Sequence, residues 1–101
     1  MNEPELVLNE QGRGAFLLKE NGEKLAEMVV AIDKENLIVY HTEVSPKAEG
    51  QGLAKQLLNK MVAHAREQHL KVIPLCPYVH AQFRRHPQEF EDVWDGDEVA
   101  D

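Results

Sequence analysis

Between Val44 and Ala54 the chain reads Val-Ser-Pro-Lys-Ala-Glu-Gly-Gln-Gly-Leu-Ala, and no other stretch constrains the fold as much. An apolar, strand-like run ends at Val44, and Pro46 stops that strand from continuing. Gly50 and Gly52 bracket Gln51. From Leu53 the apolar spacing turns helical, through Leu53, Ala54, Leu57, Leu58, Met61, Val62 and Ala65. The reading is a strand, a glycine turn and the opening of a helix. A helix opening presents N–H groups without intrahelical partners and the positive end of the helix dipole, so it suits an anion. Glycine in a first turn costs about 1 kcal/mol against alanine. Two of them imply that the backbone must come close to something, beyond the simple task of starting a helix.

The 101 residues suffice for one domain. No apolar run approaches the roughly 20 residues of a membrane span, and no signal peptide opens the chain. A single cysteine, Cys76, excludes an internal disulfide and leads us to expect a cytoplasmic protein. The net charge of −7 is localised. Glu89, Glu91, Asp92, Asp95, Asp97, Glu98 and Asp101 make the end of the chain acidic, with no Lys or Arg among them, so residues 1–88 are neutral. That body would not repel a phosphate-bearing ligand, but it offers no basic stripe for nucleic acid.

In chain order, Glu5–Asn9 reads as a first strand and Gln11–Gly14 as a turn. Ala15–Lys19 is a second strand, closed by Glu20-Asn21-Gly22, where Asn-Gly signals a hairpin. Leu25–Ile32 is apolar on both faces, as in mid-sheet. Leu37–Val44 follows, and a period of two places Ile38, Tyr40, Thr42 and Val44 on one side and Leu37, Val39, His41 and Glu43 on the other. A helix over 50–69 then leads to a short strand, Lys71–Cys76, which a right-handed crossover sets parallel to the fourth. Pro74 cannot donate to a ladder, so these two strands should part. A last helix spans about 78–86. Beyond it, Phe90, Val93 and Trp94 should dock on the body.

No Walker sequence occurs, and a dinucleotide fingerprint would need glycine where Lys55 stands. Lys47-Ala48-Glu49-Gly50-Gln51-Gly52 instead resembles motif A of the GNAT superfamily of acetyl-CoA-dependent N-acetyltransferases, Gln/Arg-x-x-Gly-x-Gly/Ala, with Lys47 in the first place. The resemblance extends from His41-Thr42 to Pro74-Leu75-Cys76-Pro77-Tyr78 and on to Phe83 and His86-Pro87, and is to the short single-domain branch. It implies an α+β fold: a GNAT-like mixed, mostly antiparallel sheet of about five strands, a central helix on one face and a short C-terminal helix. Residues 1–88 would form the acetyl-CoA-binding domain and 89–101 an acidic tail. The chain lacks the helices with which larger members shape the acceptor site.

The resemblance further implies that backbone N–H groups from Glu49 to Ala54 (through Gly50, Gln51, Gly52 and Leu53) hold the diphosphate of coenzyme A. Lys47, Lys55 and, less directly, Lys60 stand near phosphates. The pantetheine arm would enter the gap between the fourth and fifth strands, where N–H groups near Glu43 and Val44 polarise the thioester. Cys76 is a candidate acyl acceptor or a neighbour of the acetyl group. His41 and Glu43 are candidate bases, and Tyr78 a candidate acid for the departing thiolate. Each also has a plain structural reading: a buried small hydrophobe for Cys76, a half-buried histidine for His41, packing for Tyr78 and solvated lysines. No histidine or cysteine spacing forms a metal site. The expected activity is acetyl transfer to an unidentified amine, with no metal, no nucleic acid, no membrane and nothing requiring more than a monomer. The alternatives are a non-catalytic acyl-CoA binding or sensing module, and an interaction protein that uses its acidic tail on a basic partner.

Overall fold

A computed structural model describes residues 3–97. Its elements are β1 (Glu5–Leu8), β2 (Arg13–Glu20), β3 (Glu23–Asp33), β4 (Asn36–Val44), a 3-10 turn at Pro46–Ala48, α1 (Leu53–Gln68), β5 (Lys71–Pro74) and α2 (Pro77–Arg85). The five strands pair in chain order, with β1 to β4 antiparallel and β5 parallel to β4, so the expected α+β fold is borne out. Asn21 and Gly22 both have positive φ, at 54° and 80°, as an Asn-Gly hairpin requires.

The inner face of the sheet carries Phe16, Leu18, Met28, Val30, Leu37 and Val39, all at most 1% exposed. Leu53, Leu57, Leu58, Met61, Val62 and Ala65 of α1 join them in one buried cluster. Burying each of the leucine, methionine and valine side chains contributes about 1.5–3 kcal/mol, so the helical stripe, rather than intrinsic propensity, holds α1 on the sheet. The helix starts at Leu53 and not at Gly50, because Gly50 and Gly52 have φ of 84° and 75°, outside the helical region.

One expectation about β4 is corrected. Val39 pairs with Val30 but His41 pairs with Val29, which leaves Tyr40 as the extra residue of a β-bulge. The bulge reverses the alternation from His41 onward. Thr42 and Val44, opposite Met28 and Ala26, therefore share the inner face with Leu37 and Val39. His41 and Glu43 share the outer face with Val29 and Glu27. Hydrophobic periodicity carries no sign of this inserted residue.

The last strand is shorter than expected, ending at Pro74 and not Cys76. Proline has no N–H, the Leu75 amide turns back to the Ile73 carbonyl (3.1 Å), and the Cys76 amide makes the final tie to β4 at the Val39 carbonyl (2.9 Å). Pro77 then occupies the first turn of α2, where its missing N–H costs nothing. Residues 89–94 close the edge beyond β5. The Val93 carbonyl accepts from the Val72 amide, and Phe90, Val93 and Trp94 are buried, Trp94 against Phe83 at 5.5 Å between ring centroids.

Candidate active site

The glycine turn is held open by its backbone. Glu49 donates weakly to the Pro46 carbonyl (3.4 Å), and the first bond of α1 runs from the Gln56 amide to the Gly52 carbonyl (3.2 Å). Among the described residues, the amides of Gly50, Gln51, Gly52, Leu53, Ala54 and Lys55 have no backbone partner. A Cβ added at Gly50 or Gly52 would meet no protein atom within 4 Å. The glycines thus answer a left-handed conformation and face free space, the form an anion cradle takes.

A second feature adjoins it. β4 runs on to Val44, while its parallel pairing with β5 ends at Val39 and Pro74. The Ser45 amide bonds the Leu25 carbonyl (2.7 Å), which sets the parity of the ladder: Ser45, Glu43 and His41 turn their N–H and C=O groups to β3. The backbone groups of Thr42 and Val44 point the other way, into the space β5 has left. Of the two amides expected at the thioester, Val44's faces the gap and Glu43's is committed to the sheet.

Cys76 sits at this gap, 2% exposed, with its Sγ 3.4 Å from Thr42 Oγ1. Thr42, which a period-two reading assigns to the wrong face, thus joins the candidate site. Tyr78, half-buried two residues further on, has its phenol pKa raised above the ordinary value, first by burial and then by the neighbouring Cys76. It stays protonated and able to donate.

His41 and Glu43 come together elsewhere. They lie on the outer face with Glu27, their ligand atoms all within 4.8 Å of one another. His41 therefore does not face Cys76. Glu27 was missed in the sequence, although a glutamate interrupting the apolar run of β3 was its visible sign. Lys24 already places an ammonium 2.5 Å from Glu27 Oε1, and its own pKa is raised by that hydrogen bond, by the charge of Glu27 and by Glu43.

The lysines divide. Lys47 is ion-paired with Glu23 (2.5 Å) and Lys60 with Glu3 (3.3 Å), while Lys55 is exposed on the first turn of α1. At the far end Arg66 grips Asp92 (2.7 Å) and the Glu89 carbonyl (2.8 Å). Lys71 reaches Asp95, and His80 and Arg84 reach Asp97. Asp92, Asp95 and Asp97 thus spend their charge on the body. Glu98 and Asp101 lie outside the described residues.

A mixed sheet whose parallel pair parts beside a helix N-terminus with unbonded amides defines the α+β class of this chain. The family model described as GCN5-related N-acetyl-transferase matches residues 15–93, and the chain belongs to that family. A GCN5-like protein from Staphylococcus aureus, solved by NMR, superposes with a TM-score of 0.69 at 31% identity, over 97% of this chain and 94% of its own. Tetrahymena GCN5 (TM-score 0.61, 15% identity, 91% of this chain and 63% of its own) shares the fold. So does the ribosomal-protein-S18-alanine N-acetyltransferase of Escherichia coli (0.60, 18%, 65% and 43%), of whose length this chain spans less than half. No curated protein matches the sequence significantly. No helix among the described residues is long and apolar enough to cross a membrane.

Proposed function

We propose that the chain is an acetyl-CoA-dependent N-acetyltransferase acting on an amine. One observation carries the reading: the unbonded amides of residues 50–55 and the unpaired edge of β4 flank the same β4-to-α1 connection. A diphosphate on the first directs a pantetheine arm along the second. In this reading the N–H groups from Gly50 to Ala54 and the α1 dipole bind the diphosphate; the Glu49 N–H, expected among them, is already turned to the Pro46 carbonyl. Lys55 is the lysine left to meet phosphate, because Lys47 and Lys60 are engaged by carboxylates.

The Val44 amide donates to the thioester oxygen as it gains charge, a contribution typically worth about 3 kcal/mol. The amine nitrogen bonds to the carbonyl carbon and the C–S bond breaks. The departing thiolate takes a proton from Tyr78, and the ammonium proton passes to Glu43 or His41. Direct transfer is favoured over an acetyl-Cys76 intermediate, because the imidazole of His41 lies across the sheet from that thiol. A cytoplasmic setting suits the lone free cysteine. The neighbours' acceptors, a ribosomal-protein alanine and nourseothricin, belong to those proteins and differ from each other, so they do not name the acceptor here.

The test is calorimetric titration with coenzyme A, then thiol release from acetyl-CoA across an amine panel. Thiol release supports transfer. Tight binding with no release from any amine favours the acyl-CoA sensing module, a reading that the distance of His41 from Cys76 also suits. No binding overturns both. Intact mass after incubation with acetyl-CoA separates the routes, since an acetyl adduct lost in Cys76→Ala requires the covalent one.

A further inference from the structure

An open cleft of about 400 Å³ lies where β3 begins and β4 ends, lined by Lys24 to Glu27 and by Glu43 to Pro46. It shares Val44 with the unpaired strand edge, the place assigned above to the thioester. Its charged wall is Glu27 and Glu43, directly opposite each other in the β3–β4 ladder, with His41 beside them. The space already receives one cation, since the Lys24 ammonium hydrogen-bonds Glu27. Like charges paired across a ladder are destabilising, and a primary ammonium between them removes that cost.

From this cleft we infer that Glu27 and Glu43 form the ammonium subsite of the acceptor, and that Lys24 is a built-in competitor which a primary-amine substrate displaces. The inference rests on the transferase reading for its meaning, but ammonium binding is measurable without acetyl-CoA. An ammonium seated between the two carboxylates lies beside Val44. Its charge is matched there, and Glu43 or His41 is within reach to take its proton once the acyl group is in place. The same chemistry would come from a free polyamine or from a lysine side chain.

The experiment is an amide NMR titration of the full chain with spermidine and, in a separate arm, with Nα-acetyl-lysine methylamide, each without acetyl-CoA. Wild type, Lys24→Met and Glu27→Gln are compared, and coenzyme A is titrated into each as an independent control. The expected result is movement of the Glu27, Glu43 and Val44 amides. Removing the competing exposed ion pair should tighten binding about two- to fivefold in Lys24→Met, and Glu27→Gln should abolish the movement. A response to only one ligand identifies the source of the amine. If neither ligand moves these amides in Lys24→Met, or if Glu27→Gln binds as wild type does, the inference falls. Should coenzyme A still shift Gly50, Gly52 and Leu53 in that case, the transferase reading survives; failure of coenzyme A alone sinks that reading and leaves the ammonium subsite standing.

Discussion

Gly52 and Gly22 allow the diphosphate cradle to be tested against an internal control. Both are left-handed, with φ of 75° and 80°, and a Cβ at either would touch no protein atom within 4 Å. Alanine at either position therefore costs the same kind of free energy. A left-handed backbone opposes a Cβ by about 1–2 kcal/mol, offset by about 0.4–1 kcal/mol from a less flexible unfolded chain. A net loss of about 1 kcal/mol lowers Tm by about 4–8 °C for a domain of this size. The two variants should melt alike. They should differ in coenzyme A binding, because only at Gly52 does the new methyl stand among the unbonded amides of residues 50–55. Loss of one charge-assisted hydrogen bond, about 1.5–3 kcal/mol, weakens binding roughly ten- to 150-fold. Calorimetry with coenzyme A and thermal melts read both quantities. An unchanged Kd in Gly52→Ala would refute the cradle. An equal loss of affinity in Gly22→Ala would show that the effect is global softening.

Three further outcomes follow from contacts elsewhere. Trp94→Ala removes a buried ring packed on Phe83 and should cost about 3–5 kcal/mol in urea unfolding; a loss below 1 kcal/mol would mean the tail contributes little to the core. Arg66 lowers the Asp92 carboxyl below its ordinary value, chiefly by hydrogen bonding. A depressed acid stabilises the fold above its unfolded pKa, about 3.9, and the gain is lost as pH falls through the folded value. Arg66→Met should thus cost about 0.2–1 kcal/mol at pH 7 through the ion pair, and its difference from wild type should shrink as pH is lowered from about 4, leaving only what the Glu89 carbonyl bond and the arginine stem contribute; a difference that does not shrink would refute the ion-pair contribution. Tyr78→Phe should slow thiol release about 10²-fold or more if the raised phenol is the acid, and a rate within twofold of wild type excludes it.

Much of this architecture is legible in residue order because it rests on local chemistry. Asn21-Gly22 dictates a hairpin, Pro74 dictates a strand that cannot go on pairing, and the stripe from Leu53 to Ala65 dictates one buried helix face. The docking of Phe90, Val93 and Trp94 is legible for a similar reason, since three large apolar groups in an acidic segment have nowhere else to go. What escapes is long-range pairing. Glu27 is visible in β3, but nothing near it in the chain announces that Glu43 will stand opposite. Arg66 reads as a wet position on α1 until Asp92 is brought back to it. The bulge at Tyr40 escapes most completely, because the residues on either side of it fit either register by hydrophobicity alone.

That bulge also decides how the site can work. Without it, strict alternation would point Thr42 and Val44 outward and turn His41 and Glu43 inward, toward Leu37 and Val39. Two ionisable groups would then be buried against the core, which is unfavourable unless both are paired. With it, the thiol of Cys76 and the hydroxyl of Thr42 lie on the inner side, and the carboxylates and imidazole lie on the outer side. The Val44 backbone stands between the two. An acyl donor arriving along the open edge and an amine arriving through the outer cleft would therefore meet at one strand end from opposite sides of the sheet. This arrangement needs no side chain to serve both substrates. In the proposed reading it also makes a covalent relay through Cys76 the less economical route, because the candidate bases His41 and Glu43 and the thiol are set apart by the extra residue that keeps those bases out of the core.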